Sequence, residues 1–149
     1  PEWLLGQAGA KAVGQAFRGS AIDKSRFPDG VLEVYRRNAA EPGALTAMIN
    51  YYRALVRGGG ARRQQQEGLP VINTPTLMVW GEEDMALTKE TTYGTEEWVS
   101  ALTIRYLPRV SHWVQQEAPE AVNAMIRAFL TGQPVPEMRW QMTLEESGS

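Results

Sequence analysis

The stretch TPTLMVWGEEDMAL, residues 74–87, decides how the chain is read. Residues 76–80 are apolar or β-branched, Gly81 ends the run, and the acidic loop Glu82-Glu83-Asp84 follows. A short apolar run closed by glycine predicts a strand covered on both faces, the kind that builds parallel sheets. Downstream, LTIRYLP (102–108) alternates and is rich in β-branched residues, which predicts a second strand. Between the two, TKETTYGTEEWVSA (88–101) reads as a weak helix interrupted at Gly94. APEAVNAMIRAFLTG (118–132) reads as an amphipathic helix, with Pro119 in its first turn and Gly132 as its C-terminal cap. The remaining QPVPEMRWQMTLEESGS is expected to be loose at its end, with Trp140 docking. Strand, helix, strand, helix predicts an α/β architecture with a parallel sheet. Two strands alone leave unpaired edges and uncovered faces. Further strands are therefore expected from elsewhere, and the chain reads as the back half of something larger.

Upstream the pattern is helical. EWLLGQAGAKAVGQAFRG (2–19) is a helix weakened by its internal glycines. FPDGVLEVYRRNAA (27–40) starts a helix at Pro28-Asp29 and repeats Val31, Leu32, Val34 and Tyr35 at helical spacing. EPGALTAMINYYRALV (41–56) puts Leu45, Met48, Ile49, Tyr52 and Leu55 on one face. The chain thus divides into a helical unit (1–57), a Gly-, Arg- and Gln-rich connector (58–70) and an α/β unit (71–149).

Composition narrows the class of partner. The chain has 149 residues, 43% hydrophobic and 21% charged, as expected of one globular domain. A net charge of −2 gives no reason to expect nucleic acid or an anionic membrane. No run approaches the ~20 apolar residues of a membrane-spanning helix. The absence of cysteine excludes disulfides and thiolate zinc sites, and it fits a cytoplasmic protein. The chain opens at Pro1 without Met, as a processed product or a piece of a longer chain would.

Two residues carry the candidate chemistry. Asp84 lies in the loop after the first strand, and His112, the only histidine, in the loop after the second. If the strands are parallel, both loops open on the same sheet edge, where open α/β sheets bind ligands. A carboxylate there can hold one ring nitrogen and free the other for base work. From residue type alone, an Asp and a His in loops read equally well as solvated or capping residues.

The residues around them resemble a known family. PTLMVWGEEDMAL and YLPRVSHWVQQEAPEAVNAMIRAFL are similar to the C-terminal part of the α/β-hydrolase fold, over roughly residues 71–130. The match consists of a strand ending W-G-x-x-D, the 28-residue interval from Asp84 to His112, and H-W-x-x-x-E-x-P before the last helix. Ser111 departs from it, since the family usually has Gly before the histidine. ALTAMINYYRAL resembles the last cap helix of soluble epoxide hydrolases, whose aromatic-Tyr-Arg motif here reads Tyr51-Tyr52-Arg53. The resemblance implies the C-terminal portion of an α/β-hydrolase sheet, its last two strands with helices, plus the later part of a helical cap. It implies Asp84 as orienting acid, His112 as base and Tyr52 as the cap tyrosine that hydrogen-bonds an epoxide oxygen. A phenol of pKa ~10 can donate to a forming alkoxide while staying protonated at neutral pH. By pattern alone Tyr52 reads instead as a packing residue. Trp80, Trp113 and Met85 read either as pocket walls or as packing. No metal or organic cofactor is implied.

The resemblance also implies parts that this sequence lacks. The family's Asp nucleophile sits in a G-x-D-x-G-like elbow, and an H-G-x-P-like segment helps form the oxyanion hole. Asp23 and Asp29 have neither the flanking glycines nor a preceding strand, and Tyr35 is on a different helix from the Tyr51-Tyr52-Arg53 motif. The expected partners are a small epoxide, water, and the N-terminal half of the same hydrolase as a separate chain or segment. Haloalkane dehalogenase or serine esterase chemistry on the same fold is the alternative, and a non-catalytic binding or scaffold piece is the alternative of another class.

Overall fold

The computed structural model describes residues 2–58, 63, 66, 68 and 70–139. Most of the 58–70 connector and Trp140 lie outside the described residues. Three helices come first: α1 (Glu2–Ser20), α2 (Asp29–Ala40) and α3 (Ala44–Arg57). Two strands follow, β1 (Thr76–Gly81) and β2 (Leu102–Leu107), and then α4 (Val114–Glu117) and α5 (Pro119–Leu130).

The glycine-rich α1 carries a local break. Ala8, Gly9 and Ala10 all have positive φ. The carbonyls of Ala8 and Gly9 accept from the Arg36 guanidinium of α2, each at 3.3 Å. This satisfies groups that an unbroken helix would bond internally. α2 begins as its sequence predicts, with Pro28 as N-cap and Asp29 in the first turn, where a carboxylate complements the helix dipole. Asp29 also pairs with Arg18 of α1 at 2.6 Å. α3 is tied to α1 by Arg53, which donates to Glu2 at 2.6 Å. A small core lies inside this unit: Ala21, Phe27 and Leu32, with Phe17, Tyr35 and Trp113 packed on it.

β1 and β2 pair in parallel, from Thr76 opposite Leu102 to Gly81 opposite Leu107. An isolated parallel bridge, Ile72 to Val99, continues the pairing upstream. Both strands are only half-buried until their last residues, Gly81 and Leu107. The expected cover on both faces is therefore not supplied by the described residues. The main core lies under α5: Leu107, Val110, Ala118, Val122 and Met125, with Leu77 and Val79 of β1 against it.

The expected helix between the strands is instead two short 3₁₀ turns, Lys89–Thr92 and Thr95–Glu97. The threonines explain this. Thr91, Thr92 and Thr95 each bond their hydroxyl to the carbonyl three residues back, at 2.6–2.7 Å. Such local bonds compete with a regular helix, and Gly94 at φ 80° separates the two turns. The last helix also splits. Pro119 disfavours helical geometry at Ala118, whose φ of −131° ends α4 before α5 begins at the proline. Gly132 caps α5 at φ 66°, with Gly132 and Gln133 donating to Phe129 and Ala128. Beyond it, Arg105 of β2 holds the tail by donating to the Val135 carbonyl at 2.8 and 3.0 Å. Among the described residues no helix is long and apolar enough to cross a membrane.

Candidate active site

The parallel pairing brings both predicted loops to one sheet edge. The loop after β1 turns back at once, with the Asp84 amide donating to Gly81 O at 3.3 Å. Glu82 and Glu83 donate to the carbonyls of Leu107 and Val110, which fastens this loop to the one after β2. The loops cross directly over Gly81. A Cβ there would stand 2.1 Å from the Ser111 carbonyl oxygen and 2.4 Å from that of Val110. Only glycine permits this approach, and the approach delivers His112 to Asp84.

Asp84 is 6% exposed. Its Oδ1 accepts from the amides of Ala86 and Leu87, both at 2.9 Å. Its Oδ2 lies 2.7 Å from His112 Nδ1. Burial pushes the carboxyl up, but bonds from the Leu87 amide, the His112 ring and the Ala86 amide together outweigh it. They hold Asp84 below the ordinary value of 3.8. An ionised carboxylate accepts only, so the pair selects the ring tautomer with the proton on Nδ1. Nε2 is then the basic nitrogen, and it has no hydrogen-bond partner among the described residues. The imidazole side chain stays 35% exposed. A buried carboxylate thus orients a ring that can take a proton from a water or substrate placed at Nε2.

Tyr52 stands apart from this pair. It lies on α3, is 68% exposed, and meets Tyr51 edge to face at 6.0 Å. α3 packs on α1 and α2, and no hydrogen bond joins Tyr52 to Asp84 or His112. Its apolar face is largely open, with Met48, Leu55 and Val56 also exposed. The tryptophans do pack. Trp113 lies 4.4 Å from the Phe17 ring and donates to Ser20 Oγ at 2.8 Å, and Trp80 donates to Leu87 O at 3.0 Å. Met85 is almost fully exposed. A cavity of about 600 Å³ lies between α1 and α2, lined by Lys11, Arg18 and Glu33 among others, away from the Asp84–His112 pair. Among the described residues no group of three or more His, Asp or Glu side chains is placed to hold a metal.

One participant was not singled out in the sequence. Glu117, the Glu of H-W-x-x-x-E-x-P, is buried and accepts from both the amide and the hydroxyl of Ser111 at 2.9 Å. Ser111, the departure from the family pattern, is thereby accommodated rather than disruptive. The available signal was a lone Glu beside Ala118 and Pro119, just past the histidine.

No family model matches the chain. Over 134 residues it is 34% identical to Epoxide hydrolase 1 of Caenorhabditis elegans, a match covering 87% of this chain and 32% of that protein. Over 99 residues it is 35% identical to the AB hydrolase superfamily protein YfhM of Bacillus subtilis (strain 168), covering 66% of this chain and 33% of the relative. It spans about a third of the length of these curated relatives. The crystal structure of Bacillus megaterium epoxide hydrolase in complex with an inhibitor superposes with a TM-score of 0.70, over 86% of this chain and 46% of that one, at 21% identity. That superposition shows the α/β-hydrolase fold, of which the chain corresponds to a C-terminal portion. The sequence matches, each to about a third of an epoxide hydrolase or AB hydrolase superfamily protein, support a fragment of the α/β-hydrolase epoxide hydrolase family.

Proposed function

We propose that this chain supplies the water-activating half of an epoxide hydrolase. The observation that carries the reading is the 2.7 Å contact between Asp84 Oδ2 and His112 Nδ1 at the carboxyl ends of two parallel strands. In this mechanism an Asp outside the present sequence attacks an epoxide carbon. The C–O bond breaks, and Tyr52, from the later part of the cap, donates its proton to the departing oxygen. An alkyl-enzyme ester results. His112 Nε2, oriented by Asp84, then takes a proton from water. The hydroxide adds to the ester carbonyl, the C–O bond to the diol breaks, and the departing alkoxide takes the proton of the acid just formed, which restores the Asp carboxylate; the proton on His112 returns to the Tyr52 phenolate, and a vicinal diol is released. Chemical balance needs only epoxide and water. The partner is the N-terminal half of the same hydrolase, as a segment or a second chain, and the absence of cysteine suits the cytoplasm.

The test is His112→Gln in the complete enzyme. Ester formation continues while its hydrolysis slows by about a thousandfold, so a covalent adduct accumulates after mixing with an epoxide. An intact-mass spectrum without that adduct would remove His112 from the role of base.

A further inference from the structure

Glu117 is a carboxylate that the proposed mechanism does not use. It is 6% exposed and has no Lys or Arg within ion-pair distance among the described residues. A buried carboxylate without a cation persists only where donors surround it. Three donors do so, each at 2.9 Å. Oε2 accepts the Ser111 amide, and Oε1 accepts the Ser111 hydroxyl and the Ile22 amide. Ser111 immediately precedes His112 and is 2% exposed. Ile22 is two residues past the end of α1, in the helical unit. Two further bonds run along the same seam: Trp113 Nε1 to Ser20 Oγ, and Gln116 Nε2 to Arg26 O.

We propose that Glu117 is a positioning residue for His112: its carboxylate fixes the Ser111 backbone, and with it the ring against Asp84, and through Ile22 it ties the base to the helical unit that carries Tyr52. The proposal rests on the reading of Asp84 and His112 given above. One carboxylate spans the residue before the base and the first turn after α1. A shift of either displaces the other, unless the carboxylate gives up a charge-assisted bond. Glu117→Gln keeps an oxygen for Ser111 Oγ and Ile22 N–H. It sets an NH₂ against the Ser111 amide, so the backbone anchor is lost. Ser111→Ala removes only the hydroxyl bond.

In the complete enzyme the ring ¹⁵N shifts of His112, the only histidine of this sequence, are identified as those missing from His112→Gln, and they report the Nδ1–H to Nε2–H ratio of the neutral ring. In the unsubstituted enzyme Nδ1–H dominates. Glu117→Gln lowers the ratio about tenfold, the worth of one lost bond to a charged group. Ser111→Ala lowers it severalfold. Met125→Ala loosens the core without touching the carboxylate and leaves the ratio unchanged. If Nδ1–H does not dominate in the unsubstituted enzyme, the Asp84–His112 pair falls, and the proposed function with it. If it dominates but is unmoved by Glu117→Gln, or falls equally in Met125→Ala, the positioning role is overturned and the pair stands. Should Glu117→Gln fail to fold, Ser111→Ala decides, and an unchanged ratio there overturns the role.

Discussion

Asp84 shows how a side chain is kept charged in a place that disfavours charge. Burial by itself pushes its pKa up. Two amides and an imidazole, all within 2.9 Å, reverse that outcome. The sign of the pH dependence follows. The folded carboxyl titrates below the ordinary 3.8, so its contribution to stability is complete above about pH 5 and is lost as acid protonates the folded group. Asp84→Asn removes this contribution. Denaturant titrations should therefore show the variant well below the parent near pH 6, with the gap closing as the pH falls below 3.8; a gap independent of pH would mean that Asp84 is not ionised in the fold. At Tyr52 the expected effect is kinetic. In the complete enzyme, Tyr52→Phe slows ring opening by about a hundredfold and ester hydrolysis much less. Rapid-mixing measurements of adduct formation and decay separate the two, and equal slowing of both would make Tyr52 a packing residue. Both side chains were legible as residues. Asp84 and His112 could be paired because strand-loop positions fix a sheet edge. Tyr52 was carried only by the resemblance, and its exposure here leaves its role to the proposal.

Among the elements, the crossing at Gly81 matters most. The end of β1 touches the His112 loop so closely that a methyl group would overlap two carbonyl oxygens. Gly81→Ala should cost about 2 kcal/mol or more in unfolding free energy, as overpacking does. It should also weaken the Nδ1–H signature of His112, because the loop must lift. An alanine variant with parent-like stability would contradict the close approach. The strands and the final helix were readable from the apolar run before Gly81, the alternation of 102–107 and the Pro119 and Gly132 signals. The segment between the strands was misread as a weak helix. Hydrophobic spacing does not register the hydroxyl bonds of Thr91, Thr92 and Thr95, which favour short 3₁₀ turns.

At the scale of the whole molecule, the half-buried strands and the open face of α3 are surfaces that a parallel sheet and an amphipathic helix normally cover. A preparation with epoxide hydrolase activity should therefore contain more polypeptide than these residues, as a longer chain or a second species. Intact mass under denaturing conditions decides this, and activity from a single species of this chain's mass would sink the requirement for an outside nucleophile. The sequence by itself determined the class of fold and the two parallel strands, because strand periodicity, glycine stops and loop positions are local properties of the chain; it put Asp84 and His112 on one sheet edge, and the family resemblance made them a pair. Tertiary structure alone decided that Trp113 packs against Phe17, that Glu117 holds Ser111 and Ile22, and that Gly81 must lack a side chain. Those contacts join residues whose proximity is created by the parallel register and the seating of the helical unit, and no spacing along the chain encodes a distance across it.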